Sequence, residues 1–161
     1  MLSPEALQQF RQFFIKNRQQ TGRENHFTSL GFDIVDIQAG AARMSMPSLD
    51  HLAGNPITGA IASGPVMALL DTCCAMAAAT SGDAIQMCPT LDLRVDYLGP
   101  PKPGLTVHAE AKAIRRSRFV IFTEGFAYQD DKDKPIARCT INFTPIDQKV
   151  MKDHAAKDQA R

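Results

Sequence analysis

The chain has 161 residues, a length that suits one domain with one sizeable core. Its apolar share of 44 % and charged share of 22 % are ordinary for a globular protein, and the net charge of +1 argues against nucleic-acid or strongly acidic partners. No apolar run approaches the roughly 20 residues of a membrane-spanning helix. The first residues show no basic segment followed by an apolar one, so we expect a cytoplasmic protein without a secretory signal.

The N-terminal part predicts a helix and then a hairpin. Ser3, Pro4 and Glu5 form a helix-start signal, because a capping hydroxyl precedes a proline in the first turn. Apolar residues follow at helical spacing and predict an amphipathic helix over residues 4 to about 20. These residues are Leu7, Phe10, Phe13 and Phe14. Residues 27–37 and 41–47 alternate loosely around a glycine turn and predict two paired strands, and residues 48–62 predict a loop.

A second helix is predicted over residues 64–80, within the stretch GAIASGPVMALLDTCCAMAAAT. Pro65 suits its first turn, and Ser63 or Gly64 can cap it. Its residues are small or apolar on every face except at Asp71, and such a helix is usually buried on all sides. The sequence therefore predicts a core helix that carries one carboxylate.

The rest of the chain predicts strands. In TLDLRVDY, residues 90–97, apolar Leu91, Leu93, Val95 and Tyr97 alternate with polar residues, so one face should be buried. Three further strands are expected over residues 105–114, 118–128 and 135–144, and residues 147–161 read as a frayed tail or a surface helix.

This order of elements predicts a single α+β domain over residues 1–161. A lone helix that is apolar on all sides needs a sheet curled around it, so we expect an antiparallel sheet of five or six strands around the central helix, with an extra N-terminal helix. The cysteines are not spaced as zinc ligands are, and we interpret them as buried, reduced small hydrophobes. They are Cys73, Cys74, Cys88 and Cys139.

Asp71 is the candidate reactive group. Gly64 lies seven residues earlier on the same helix face, among amides that have no intrahelical partner and lie at the positive end of the helix dipole. A carbonyl oxygen near Gly64 would find an oxyanion site, and a carboxylate can act as nucleophile or as general base toward water. The pattern suits acyl transfer from an activated ester. The alternative is that Asp71 only pairs with a polar group across an interface.

Two stretches, DHLAGNPITGAIASGPVMALLDTCCAMA and PTLDLRVDYLGPPKPG, resemble those of hotdog-fold acyl-CoA thioesterases of the phenylacetate-degradation and acyl-CoA thioesterase 13-like kind. The resemblance covers residues 28–146 and implies a hotdog fold. It also implies homodimers that often pair into homotetramers, with the active site at the dimer interface.

The resemblance assigns roles to individual residues. It implies that Asp71 is the catalytic carboxylate and that the amide of Gly64 polarises the thioester oxygen. Thr90 would reach the site from the partner subunit, and Asn55 would hold the attacking water or the thioester. The sequence departs from the family at Ala62, where the family pattern has a histidine.

Three further residues are candidate substrate contacts. Ser63 can take over part of the missing histidine's role or only cap the helix. His51 can line the pocket or lie on the surface. Arg118, in a basic cluster at a strand turn, can meet the CoA phosphates or belong to a solvated hairpin end.

We therefore predict a thioester hydrolase that acts on acyl-CoA or a similar acyl thioester, with no cofactor and no metal. The alternative is a non-catalytic acyl-thioester binding protein on the same fold, which the missing histidine favours. A hydratase is a third possibility, but those enzymes pair Asp with a His a few residues later, and TCCAM follows Asp71.

Overall fold

The computed structural model describes residues 2–20 and 25–146, so the predicted tail at 147–161 lies outside the described residues. The helices are α1 (Pro4–Gln20), α2 (His26–Ser29) and α3 (Ser63–Ala79), with a short 3-10 turn at Asp50–Leu52. The strands are β1 (Asp33–Gln38), β2 (Ala41–Met46), β3 (Thr90–Tyr97), β4 (Val107–Arg116), β5 (Ile121–Tyr128) and β6 (Ala137–Phe143).

The six strands form one antiparallel sheet in the order β1-β2-β4-β5-β6-β3. The sheet curls around α3, which contacts all six strands. The α+β architecture and the hotdog fold are confirmed, and the predicted order of elements holds from α1 to β6.

Side-chain alternation gives the sheet an inner face toward α3 and an outer face toward solvent. On β4, Val107, Ala109 and Ala111 are buried, whereas His108 and Glu110 between them are partly exposed. The inner face and α3 meet through small residues, so helix and sheet approach closely. Cys74 on α3 and Cys139 on β6 have their Sγ atoms 3.7 Å apart. All four cysteines are buried and free, as predicted.

The beginning of the hairpin differs from the prediction. Residues 27–29 belong to α2, and β1 starts only at Asp33. Asn25 and Thr28 form a capping box, in which each side chain accepts from the other residue's backbone N–H. This local capping outweighs the loose alternation that predicted a strand.

β3 also differs from the prediction, because among the described strands it lies at the edge of the sheet and has β6 as its single neighbour. Leu93 and Val95 are partly buried, but Leu91 and Tyr97 are 56 % and 46 % exposed. The prediction of a fully buried apolar face is therefore wrong at the two ends of this strand.

The N-terminal helix docks on the far end of the sheet. Arg11 donates to the carbonyl oxygen of Ile34 on β1 at 3.0 Å. The ring of Phe14 lies 6.2 Å from that of Phe27, which in turn contacts Phe32. Phe10 and Phe14 pack against the core and thus attach this helix to the rest of the domain.

Candidate active site

Asp71 lies in the middle of α3 on the side that faces the N-terminal end of β3. It is half-buried rather than buried, and its Oδ1 accepts a hydrogen bond from the hydroxyl of Thr90 at 2.9 Å. The expectation that this helix is buried on all sides is therefore wrong at Asp71. A carboxylate that keeps contact with solvent can reach a water molecule.

A β-bulge directs Thr90 toward Asp71. The register between β3 and β6 shifts between Thr90 and Asp92, so Thr90 lies opposite the buried Phe143. Strict alternation would turn Thr90 to the outer face together with Asp92. The extra residue reverses its direction, as bulges do at many sites. The resemblance implied that Thr90 reaches the site from a partner subunit, but this contact lies within one chain.

The N-terminus of α3 is open to solvent. Ala62 is the N-cap residue and no side chain caps the helix, so the prediction that Ser63 or Gly64 is the cap is wrong. Ser63 and Gly64 are exposed, and a Cβ added at Gly64 would have no atom within 4 Å. The first-turn amides are therefore accessible to a ligand.

Tyr97 closes one side of this helix end. Its hydroxyl donates to the carbonyl oxygen of Ser63 at 2.8 Å, and partial burial raises the pKa of Tyr97. The alternation along β3 predicted Tyr97 only as a buried residue of that strand. The signal was its position at the end of the strand that carries Thr90, where a phenol can leave the core and reach a polar partner.

Gly64 and Asp71 of one chain are too far apart to act on one carbonyl group. Seven residues at a rise of about 1.5 Å each separate them by about 10 Å along the helix axis. The amides of the first turn also point away from Asp71. A reacting nucleophile must lie within about 3.5 Å of the carbonyl carbon. The shared helix face expected from their spacing therefore does not by itself make one site.

Asn55 stabilises the loop before α3. Its side-chain Oδ1 accepts from the backbone N–H groups of Ile57 and Thr58 at 2.9 and 3.1 Å, and its carbonyl accepts from Gly59. The side-chain oxygen is thus engaged within its own loop, which leaves the amide nitrogen to meet a ligand.

The two remaining candidates lie apart from Gly64. His51 is exposed, with Nε2 2.8 Å from the carbonyl oxygen of Ser29. Arg118 stacks its guanidinium over Phe119, 5.1 Å from the ring centre, at the exposed β4–β5 turn. Arg116 donates to Ser81 at 3.1 Å, so this turn lies near the carboxyl end of α3.

A cavity of about 400 Å³ lies beside the N-terminus of α3, and Ser63 is the predicted site residue that lines it. A larger cavity of about 840 Å³ lies across the outer face of the sheet and includes the Lys112–Glu124 ion pair. None of the predicted site residues lines the larger one. Within residues 2–20 and 25–146, no cluster of three or more His, Cys, Asp or Glu side chains can hold a metal ion.

A family model and a solved structure identify the family of this chain. The model of the thioesterase superfamily matches residues 59–136, which run from the loop before α3 to the start of β6. A solved structure of a Pseudomonas aeruginosa protein is 33 % identical, with a TM-score of 0.73, and the match covers 88 % of this chain and 99 % of that one. The chain belongs to the thioesterase superfamily.

Two further solved structures are similar at lower identity. The PaaI protein of the E. coli phenylacetic acid degradation operon is 20 % identical with a TM-score of 0.74, and the match covers 91 % of this chain and 97 % of that one. A Streptococcus mutans protein bound to acetyl-CoA is 16 % identical with a TM-score of 0.65, covering 80 % and 96 %. No curated protein matched the sequence. Among the described residues, no helix is long and apolar enough to cross a membrane.

Proposed function

We propose that this thioesterase-superfamily protein hydrolyses acyl-CoA, or a similar acyl thioester, to the free acid and the thiol. The observation that carries the proposal is the pair formed by Asp71 and Thr90 at 2.9 Å, a half-buried carboxylate held in one orientation. A similar fold binds acetyl-CoA in Streptococcus mutans, which supports a CoA ester as the substrate class.

In the proposed mechanism, Asp71 acts as a general base. It takes a proton from water as the water oxygen bonds to the thioester carbon, and the carbonyl oxygen becomes an oxyanion. The amide of Gly64 donates to that oxyanion. When the tetrahedral intermediate collapses, the C–S bond breaks and the thiolate receives the proton from Asp71. Thr90 orients the carboxylate, and the Asn55 amide orients water or substrate.

We propose that each active site combines Gly64 of one subunit with Asp71 of another. The separation of about 10 Å along one helix supports this arrangement, because two antiparallel copies of α3 bring the two groups together. The side of the molecule that carries both groups also has exposed apolar residues and the unpaired edge of β3, features that favour association. These exposed residues are Met67 and Leu91.

The CoA nucleotide is assigned to the β4–β5 turn. Arg118 is exposed there, with its guanidinium over the ring of Phe119, so it can bind a phosphate-bearing nucleotide. His51 and Ser63 are assigned to the walls of the substrate channel on either side of the loop that precedes α3.

The proposed activity is tested with a panel of acyl-CoA thioesters and a reagent that detects the released thiol. We expect turnover with at least one acyl group. Absence of thiol release across acetyl, medium-chain, long-chain and aryl esters would reject hydrolysis.

A mixed-dimer experiment tests the shared site. Asp71→Asn removes the base, and Gly64→Pro removes the oxyanion amide at a first-turn position that tolerates proline. Each variant alone should be inactive. When the two are co-expressed, about half of the dimers are mixed and each mixed dimer has one intact site, so about a quarter of the parental activity returns. If each chain held its own complete site, co-expression would restore nothing.

A non-catalytic acyl-thioester binding protein is the second candidate. Ala62 favours it, because the imidazole present in the resembling enzymes is absent and Ser63 beside it makes no side-chain cap. Binding of acyl-CoA without release of thiol in the same panel would identify this function.

A further inference from the structure

The cavity beside the N-terminus of α3 is apolar and carries no charge. Its apolar walls are Ile61, Val66, Leu98, Pro100, Pro101 and Ile136. Ser63 and Tyr97 supply the polar atoms, and the Tyr97 hydroxyl is engaged by the carbonyl of Ser63. No charged side chain lines the cavity, and its apolar walls suit a hydrocarbon group.

Backbone hydrogen bonds hold the walls in place. The N–H groups of Leu98 and Gly99 both donate to the carbonyl of Ile136, at 2.8 and 3.3 Å. On the opposite side, Ile61 forms a bridge with Ala53. A cavity whose walls are paired in this way is preformed, and a ligand need not order them on binding.

The loop that forms the outer rim is also fixed from below. The buried side chain of Gln129 accepts from the N–H of Lys102 at 2.6 Å and donates to the carbonyls of Lys102 and Leu105. The rim formed by residues 98–101 thus joins a loop that is anchored to the end of β5.

The cavity lies next to the amide that is assigned to the thioester oxygen. Ser63 lines it, and Gly64, the next residue, carries the amide assigned to the thioester oxygen. A thioester bound at that amide has its acyl chain within reach of the cavity. The volume of about 400 Å³ lies near the lower end of the range of roughly 300 to 1,000 Å³ for small-molecule sites.

We propose that this cavity holds the acyl group of the substrate, and that Leu98 and Ile136 limit the length of the acyl chain. The inference rests on the proposed function for the position of the thioester. It predicts that the acyl group of the substrate is unbranched and of medium length, or a compact aryl group, and that polar or charged acyl groups are poor substrates.

Binding of non-hydrolysable S-alkyl-CoA thioethers, measured by titration calorimetry, tests the cavity separately from catalysis. In the parent, affinity should rise by about fourfold for each methylene from ethyl to hexyl, because each buried methylene contributes a similar increment. Binding should stop improving once the cavity is full.

Substitutions at the cavity walls should change only how affinity depends on the length of the alkyl chain. Leu98→Trp and Ile136→Trp should weaken binding of the decyl thioether by about tenfold or more while leaving the ethyl thioether within about twofold. Ile136→Ala should extend the range to longer chains. Leu105→Trp changes another exposed leucine, one that does not line the cavity; it is the control and should alter neither the binding of the decyl thioether nor that of the ethyl thioether.

The outcomes separate this inference from the proposed function. Equal weakening of all thioethers by the tryptophan variants, or no gain from ethyl to hexyl in the parent, overturns the cavity assignment. Sedimentation velocity is run on both tryptophan variants, and Ile136→Trp alone carries the test if Leu98→Trp changes the oligomeric state. Thioethers that bind as expected, with no thioester hydrolysed, reject the proposed function and leave the assignment standing.

Discussion

Replacement of Asp71 by asparagine is the sharpest test of the proposed chemistry. The substitution keeps the shape of the side chain and an oxygen that accepts from Thr90, but it removes the negative charge and the basic site. General-base catalysis contributes about 10²- to 10⁴-fold, so kcat should fall by that factor, or by about 3 to 5 kcal/mol of transition-state stabilisation.

Stability should change little in the same variant. Only the charge assistance of one hydrogen bond is lost, which costs about 1 kcal/mol or less at a half-buried site. Thiol release at saturating acyl-CoA gives kcat, and urea unfolding gives the free energy of unfolding. Asp92→Asn is the matched control. Asp92 lies on β3, the strand that carries Thr90, and accepts from Asn142 at 3.1 Å on the outer face of the sheet. Parental kcat in Asp71→Asn, or an equal loss in Asp92→Asn, would refute the assignment.

Three further predictions concern the fold and its titrating groups. Gly54→Ala should destabilise the chain by about 1 to 3 kcal/mol in urea unfolding, because its Cβ would lie 2.8 Å from the Cα and Cβ of Ala62, whereas Gly99→Ala meets nothing within 4 Å and should be nearly neutral. All four cysteine thiols are buried, so native protein should not react with a thiol reagent during an assay and should react fully in guanidinium; fast labelling of the native chain would contradict the packing. Lys102 lies 2.7 Å from Asp130 and holds the pKa of that carboxyl below its usual value of 3.8, so Lys102→Met should raise the Asp130 pKa in an NMR titration, and an unchanged pKa would show that the pair does not form in solution.

The architecture could be predicted because each element carries its own local signal. Proline in a first turn, an all-apolar helix and three alternating strands each indicate their element without reference to the rest of the chain. The helix α2 was missed because its signal is a capping box of two short side chains, Asn25 and Thr28, within a four-residue helix.

The site was predictable only in part. Asp71 is conspicuous because it is the one acid in an apolar helix, but its burial depends on how far the edge strand covers it. Thr90 meets Asp71 because of a bulge at β3, and a bulge has no reliable signal in the sequence. The hydrogen bond of Tyr97 to Ser63 was missed because alternation predicts the face of the sheet on which a side chain lies, and not the partner of its hydroxyl.

The anchoring of the 98–105 loop by Gln129 has a consequence for how acyl preference can change during evolution. Gln129 is 7 % exposed and does not line the cavity, yet it anchors the loop that follows the rim through three hydrogen bonds to backbone groups. A shorter or apolar side chain at this position would release the loop without altering any residue that touches the substrate. Homologous chains with identical cavity walls can therefore differ in acyl preference through one residue at the end of β5.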